Sequence, residues 1–240
     1  IDAGYLTNGI NILGDYDEPL AQLSERLGRF PLVYQPGSNW RYSFATDVTA
    51  RLVEVLSGQT FDAFLDQNIF APLAMEDTGF FVPAEKQARF TTMYAGIDPL
   101  DPMKPGLVKA DDPHNGIYSQ PRQLLSGGGG LVSTTQDYLT FIRMLINGGE
   151  WQGSRLLQSA TLEQMRTNQL APGVGVAFPM WAMPGTVFGL GFALRAEVTA
   201  EDSAHAKDEY FWAGMAGTHT WMAWRFFFPP PPFFSSSPNN

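Results

Sequence analysis

The side chain in this sequence best placed to do chemistry is the phenol of Tyr42. It stands in the segment from Pro36 to Gly58, PGSNWRYSFATDVTARLVEVLSG, where a turn, an aromatic run and a helical pattern follow without a gap. Pro36 fixes its own φ and Gly37 tolerates a positive one, so the chain turns before Trp40-Arg41-Tyr42. From there Phe44, Val48, Leu52 and Val55 recur at spacings of three and four, which predicts a helix with one buried apolar face. Gly58 sits where a left-handed C-terminal cap belongs. A phenol just ahead of a helix start has backbone N–H groups and a positive dipole end beside it, and both favour an anionic neighbour.

A phenol alone does not make a catalytic site, and the other candidate groups are soon exhausted. The four lysines are Lys86, Lys104, Lys109 and Lys207, and the residues three before them are Pro83, Asp101, Gly106 and Ala204. The sequence therefore holds no Ser-x-x-Lys pair, whose i, i+3 spacing sets an amine beside a hydroxyl on one helix face. Nor does it hold a Gly-x-Ser-x-Gly elbow. His114 lies in Pro113-His114-Asn115-Gly116, a turn pattern with no nucleophile to pair with. Ser126-Gly127-Gly128-Gly129-Gly130 lacks the Gly-Lys-Ser/Thr ending of a phosphate loop and reads as a place where backbone approaches backbone ahead of the next helix. No His or carboxylate cluster has metal-ligand spacing, so no metal and no other cofactor is expected.

The elements that must position Tyr42 are read from periodicity. Leu20, Leu23, Leu27 and Phe30 predict a short amphipathic helix up to Pro31. Thr60 is placed to cap a helix through Phe61, Phe64, Leu65 and Ile69, which Pro72 ends. Short aromatic strands from Gly79 to Asp112 read as surface hairpin. Ser133 or Thr134 caps a helix whose stripe is Leu139, Ile142 and Ile146, stopped by Asn147-Gly148-Gly149. Thr161 with Gln164 makes a capping box for another short helix. Residues 171–185 are a Pro- and Gly-rich connection. Val187 to Val198, Glu209 to Met215 and Thr218 to Trp224 read as three strands, antiparallel because so little chain separates them.

Composition sets the outer limits. At 240 residues, 44% hydrophobic and 13% aromatic, the chain has the material for a full core. A net charge of -9 with only 15 scattered Lys and Arg argues against a nucleic-acid partner. The absence of cysteine removes disulfides, thiolate metal ligands and a thiol nucleophile. No apolar run is long enough for a membrane span. The closing RFFFPPPPFFSSSPNN breaks every earlier pattern and reads as an aberrant or disordered tail, such as a frameshift leaves, because four consecutive prolines remove the donors a strand needs. Residues 1–125 are thus expected to form a mostly helical region carrying the tyrosine, 126–224 an α/β part with C-terminal antiparallel strands, and 225–240 the tail.

Several of these segments, taken in order, resemble the serine β-lactamase-related hydrolases, in particular the carboxylesterases similar to class C β-lactamases and D,D-peptidases. They are Pro36-Gly37, Trp40-x-Tyr42-Ser43, Glu54 to Gly58, Phe61-Asp62-x-Phe64, Ile69-Phe70-x-Pro72-Leu73-x-Met75, Asp77-Thr78-Gly79-Phe80, Gly127 to Thr134 and Phe188-Gly189-Leu190-Gly191-Phe192. The resemblance runs from about Leu20 to Trp221 and implies an α+β, β-lactamase/transpeptidase-like fold, here incomplete, with an antiparallel sheet flanked by helices beside a largely helical region.

The resemblance assigns Tyr42 as general base towards a serine hydroxyl and later as acid towards the leaving group. A free phenol has a pKa of about 10, so such a role needs a cationic lysine close by. Met215 would present the backbone N–H that completes an oxyanion hole, and Trp212, Gly214 and Phe44 would bind substrate. The family places its Ser-x-x-Lys upstream of the tyrosine, so a lost N-terminal part is expected, and this chain alone should not turn over substrate. Phe44 stands where β-lactamases carry the Asn of Tyr-x-Asn, and Trp212-Ala213-Gly214 stands where they carry Lys-Thr-Gly. Both changes favour a small uncharged ester. The rival enzyme is a class C-like β-lactamase or D,D-peptidase, and the rival outside enzymes is a non-catalytic relative used for binding or filament assembly.

Overall fold

The computed structural model describes residues 10, 17–98, 104–178, 182–203 and 205–223. Most of the expected N-terminal loop, Trp224 and the tail at 225–240 lie outside these residues. The chain divides into two compact units. The first holds the described residues up to Gln35 together with 42–158 and 214–217, and the second holds 36–41, 159–213 and those from Thr218 on.

In the first unit, helix α1 is Leu20–Leu27 and buries Leu20 and Leu23 as its spacing predicts. Helix α2, Ala45–Ser57, packs against α1 and ends at Gly58, whose φ of 71° lets its N–H reach the Glu54 carbonyl at 2.9 Å. Helix α3, Phe61–Leu65, runs on through a single π turn at Asp66–Phe70. Thr60 occupies its N-cap position without a side-chain cap bond. The capping comes instead from α2, where Glu54 Oε1 accepts the Phe61 N–H at 3.2 Å. Expecting Thr60 to cap this helix was therefore incorrect, because a carboxylate from the preceding helix takes that donor.

A second correction concerns α2 itself. The stripe expected to be buried is outside: Val48 is 44% exposed, Leu52 53% and Val55 60%. The covered face carries Asp47, Ala50, Arg51 and Glu54, at i, i+3, i+4 and i+7, with Asp47 and Ala50 fully buried. The helix is where periodicity puts it, but rotated so that its polar side packs inward.

After the antiparallel bridge between Gly79 and Val132, a 3-10 turn at Ala84–Arg89 leads into strands β1, Met93–Gly96, and β2, Leu107–Asp111. These pair antiparallel as an exposed hairpin, as expected for that stretch. Helix α4, Thr135–Ile146, is capped by Thr134, whose Oγ1 accepts the Asp137 N–H at 3.2 Å. Its deepest residues are Met144 and Leu145, not the Leu139 stripe, and Leu139 is exposed. The buried Asp137 carboxylate explains that rotation: it turns inward to accept from the Asp77 N–H at 2.8 Å and the Thr78 hydroxyl at 2.9 Å. The small hairpin β3, Glu150–Trp151, and β4, Ser154–Arg155, follows.

The second unit opens, after Trp40, with helix α5, Ser159–Met165. It begins before Thr161, so that residue lies inside the helix and not at a capping box. The sheet has four strands where three are expected: β5 Thr186–Phe188, β6 Ala193–Arg195, β7 Tyr210–Ala213 and β8 His219–Met222, in sequential antiparallel order. The first expected strand splits because Gly189 turns the chain. Its N–H donates to the Phe192 carbonyl at 2.8 Å, and a Cβ there would come within 2.0 Å of the Met165 carbonyl oxygen. Leu162, Val176, Ala193, Leu194, Tyr210, Phe211 and Met222 form the core of this unit.

Candidate active site

Tyr42 lies three residues ahead of the first residue of α2 and is 42% exposed. The intervening residues fix that helix start. Ser43 Oγ accepts the Ala45 N–H at 3.1 Å, and the Phe44 carbonyl accepts the Val48 N–H at 3.1 Å. Phe44 is the N-cap residue, with a half-buried ring. The tyrosine thus precedes a helix terminus whose remaining N–H groups and dipole lie close along the chain.

What holds α2 in place is the glycine-rich loop. Ser126 Oγ donates to Asp47 Oδ1 at 2.6 Å and accepts the N–H groups of Gly128 and Gly129 at 3.2 and 3.3 Å. A Cβ on Gly127 would stand 2.4 Å from the Thr46 carbonyl oxygen and 2.8 Å from the Ala50 Cβ. The loop touches the helix backbone directly, which is the close approach expected of it, and nothing about it resembles a phosphate cradle. Ser126, unremarked as a single residue in the sequence, is the hinge of this contact. Its signal was the aspartate one turn into α2, polar on a face that proves to be covered.

In the second unit Trp212 belongs to a cluster of four rings. Its centroid lies 6.4 Å from Trp40, 5.3 Å from Phe188 and 6.2 Å from Phe178, the last in a stacked arrangement. Trp40 in turn meets Phe178 and Phe188 edge-on or tilted at 5.5 and 5.6 Å. Sequence periodicity could not have joined these, since Phe178 sits in a Pro- and Gly-rich connection and Trp40 over a hundred residues away. Strand β7 ends at Ala213, and Gly214–Gly217 forms the turn to β8, closed by the Gly217 N–H on the Gly214 carbonyl at 3.0 Å. Met215, at the first inner position of that turn, is 79% exposed, and its N–H lies outside the closing bond. Tyr42 and Met215 fall in the same unit, whereas Trp212 falls in the other.

His114 sits in the expected turn, its N–H donating to Asp112 Oδ1 at 2.9 Å. Among the described residues no group of three or more metal-ligating side chains occurs. None of the described helices is long and apolar enough to cross a membrane.

The sequence pattern of one family, beta-lactamase, matches residues 3–225. The chain belongs to the beta-lactamase family. Within reach of this beta-lactamase-family chain are Protein Rv1367c of Mycobacterium tuberculosis (strain ATCC 25618 / H37Rv), 34% identical over 199 residues that cover 81% of the chain and 46% of that protein. Esterase EstB of Burkholderia gladioli is 30% identical over 227 residues, covering 90% of the chain and 53% of the esterase. Among solved structures, EstCE1, a hydrolase with promiscuous acyltransferase activity, superposes with a TM-score of 0.71 at 23% identity, over 92% of this chain and 58% of that one. That likeness is one of fold, and it agrees with the mixed helices and antiparallel sheet. The beta-lactamase-family chain spans about half the length of the curated relatives it matches.

Proposed function

We propose that this chain is part of a carboxylesterase-type serine hydrolase that cleaves small uncharged esters through an acyl-serine intermediate. The observation that carries the choice of substrate is the aromatic cluster around Trp212. At the end of β7, where a β-lactamase carries a lysine that holds a substrate carboxylate, this chain offers an indole packed among three other rings. An apolar wall favours the alkyl or aryl portion of an ester and gives a carboxylate no counter-charge. Family membership and the similarity to Esterase EstB support the same reading.

In the proposed mechanism the Tyr42 oxygen takes the proton of the nucleophilic serine as the serine oxygen attacks the ester carbonyl. The developing oxyanion is held by the Met215 N–H, a donor worth about 3 kcal/mol in comparable sites. Collapse of the tetrahedral intermediate breaks the bond to the alcohol, and Tyr42 returns the proton to the departing oxygen. Water then repeats the sequence and frees the acid. Phe44, in place of the amide of Tyr-x-Asn, offers no hydrogen bond to an acylamino group. The 240 residues hold no Ser-x-x-Lys pair, so the serine and lysine of the proposed step are not assigned to any of them, and by themselves they are proposed to be inactive.

The test compares a short-chain p-nitrophenyl ester with a chromogenic β-lactam, using protein from the complete gene. Ester turnover well above β-lactam turnover supports the proposal. The reverse order transfers the assignment to a class C-like β-lactamase, and no turnover of either favours a non-catalytic binding or filament-forming role.

A further inference from the structure

The turn of α2 nearest Tyr42 is gripped from outside the helix, and the grip is itself fastened to the rest of the unit. On the helix side, Ser126 Oγ donates to Asp47 Oδ1 at 2.6 Å. A Cβ on Gly127 would stand 2.4 Å from the Thr46 carbonyl oxygen, and one on Gly128 would stand 3.0 Å from Asp47 Oδ2. On the far side, the Tyr118 hydroxyl donates to the Gly129 carbonyl at 2.8 Å, and its ring meets Phe90 edge-on at 6.4 Å. Within the loop the Gly130 N–H donates to the Ser126 carbonyl at 3.1 Å, and just past it Val132 exchanges two backbone bonds with Gly79 at 2.8 and 3.1 Å. Tyr42, α2, Tyr118 and the loop all fall in the first unit.

We infer that Ser126 and Tyr118 are positioning residues for Tyr42: their hydroxyls fix the glycine-rich loop, and the loop fixes the first turn of α2 from which the tyrosine extends. The inference rests on the reading of Tyr42 as the proton-handling group. Asp47 follows Tyr42 by five positions, and the chain between them is held by its own bonds. Ser43 Oγ accepts the Ala45 N–H and the Phe44 carbonyl accepts the Val48 N–H, both at 3.1 Å. A displaced first turn therefore carries the Tyr42 backbone with it. Proton transfer needs the phenol oxygen within about 3 Å of the serine hydroxyl, and a misplacement of about 1 Å costs up to about a hundredfold in rate. Neither hydroxyl has to touch substrate for its loss to be felt. Tyr118 separates this role from simple helix anchoring, because its hydroxyl bonds the loop and not the helix.

Steady-state kinetics on a short-chain p-nitrophenyl ester test this, using protein from the complete gene at a temperature well below every variant's melting transition. Ser126→Ala should lower kcat about tenfold and Tyr118→Phe about threefold, with KM within about twofold of native. Combining Ser126→Ala with Asp47→Ala should lower kcat no further than Asp47→Ala alone, because either change breaks the same tie. Thr134→Ala, which removes the N-cap of α4, is the control for lost stability: its melting temperature should fall while kcat stays native. Native kcat in Ser126→Ala or in Tyr118→Phe, with Tyr42→Phe impaired, would overturn the inference and leave the role of Tyr42 standing. An equal loss of kcat in Thr134→Ala, or additive losses in the double variant, would overturn it in favour of a purely structural contact. Native turnover in Tyr42→Phe, or none in the native protein, would instead remove the reading of Tyr42 itself and the inference with it.

Discussion

Ser126 Oγ donates to Asp47 Oδ1 at 2.6 Å, and this bond ties the glycine-rich loop to the helix that follows Tyr42. The aspartate is 5% exposed, so its carboxylate has exchanged water for that hydroxyl. Removing the hydroxyl leaves a buried acceptor short of a donor, and removing the carboxylate leaves the hydroxyl bonded only to the loop. Asp47→Ala should lower stability by about 1–3 kcal/mol and Ser126→Ala by about 1 kcal/mol, with the double variant costing less than the sum. Chemical denaturation of the four proteins checks this, and strict additivity would show that the two residues are not coupled.

The loop's glycines are not interchangeable. A Cβ on Gly127 would press on the Thr46 carbonyl oxygen at 2.4 Å, whereas a Cβ on Gly129 meets nothing within 4 Å. Gly127→Ala should therefore destabilise by about 1–3 kcal/mol through overpacking, while Gly129→Ala stays near neutral. Thermal melts of the two variants distinguish this from a general need for loop flexibility, which would penalise both equally.

Asp77 predicts a dependence on pH. Arg89 first and Lys86 second donate to its carboxylate, holding its pKa down from 3.8 to about 2. A carboxyl group lowered on folding adds stability above its unfolded value, and that contribution is lost as pH falls through the folded value. The difference in melting temperature between the native protein and Asp77→Asn should be constant above about pH 5 and shrink to nothing between pH 4 and 2. Because the group is near the surface, added salt should reduce the difference.

Trp40 tests the aromatic cluster. Its ring meets Phe178, Phe188 and Trp212 at centroid distances of 5.5, 5.6 and 6.4 Å. Trp40→Ala should cost about 2–3 kcal/mol, the lower end for a large aromatic because the ring is only half-buried, and should reduce the near-ultraviolet circular dichroism from coupled rings. Trp40→Phe should recover most of the stability. An unchanged spectrum in the Ala variant would mean that the cluster does not persist in solution.

How far the sequence led is clearest at α2. Its span and the Gly58 cap follow from local chemistry, since left-handed termination and helical spacing are properties of a few neighbouring residues. Its orientation does not, because the covered face is chosen by Ser126 and Gly127, nearly eighty residues on. The same division recurs in α4, where Thr134 is readable as the cap while Asp137, bonded to Asp77 and Thr78, decides which side faces in. The sheet was legible as antiparallel, but its extra turn at Gly189 depends on contact with the end of α5. For the site, Tyr42 and Trp212 were found through the resemblance to a family. The company Trp212 keeps was beyond periodicity, because its three partners, Trp40, Phe178 and Phe188, come from three separate stretches.

The Tyr42 phenol is proposed to handle the proton in ester cleavage, and kcat for a p-nitrophenyl ester in Tyr42→Phe of the complete protein is the decisive measurement. Loss of a proton-transfer group should lower kcat by about a hundredfold or more while KM and the melting temperature stay close to native. Native turnover in the phenylalanine variant would contradict the account.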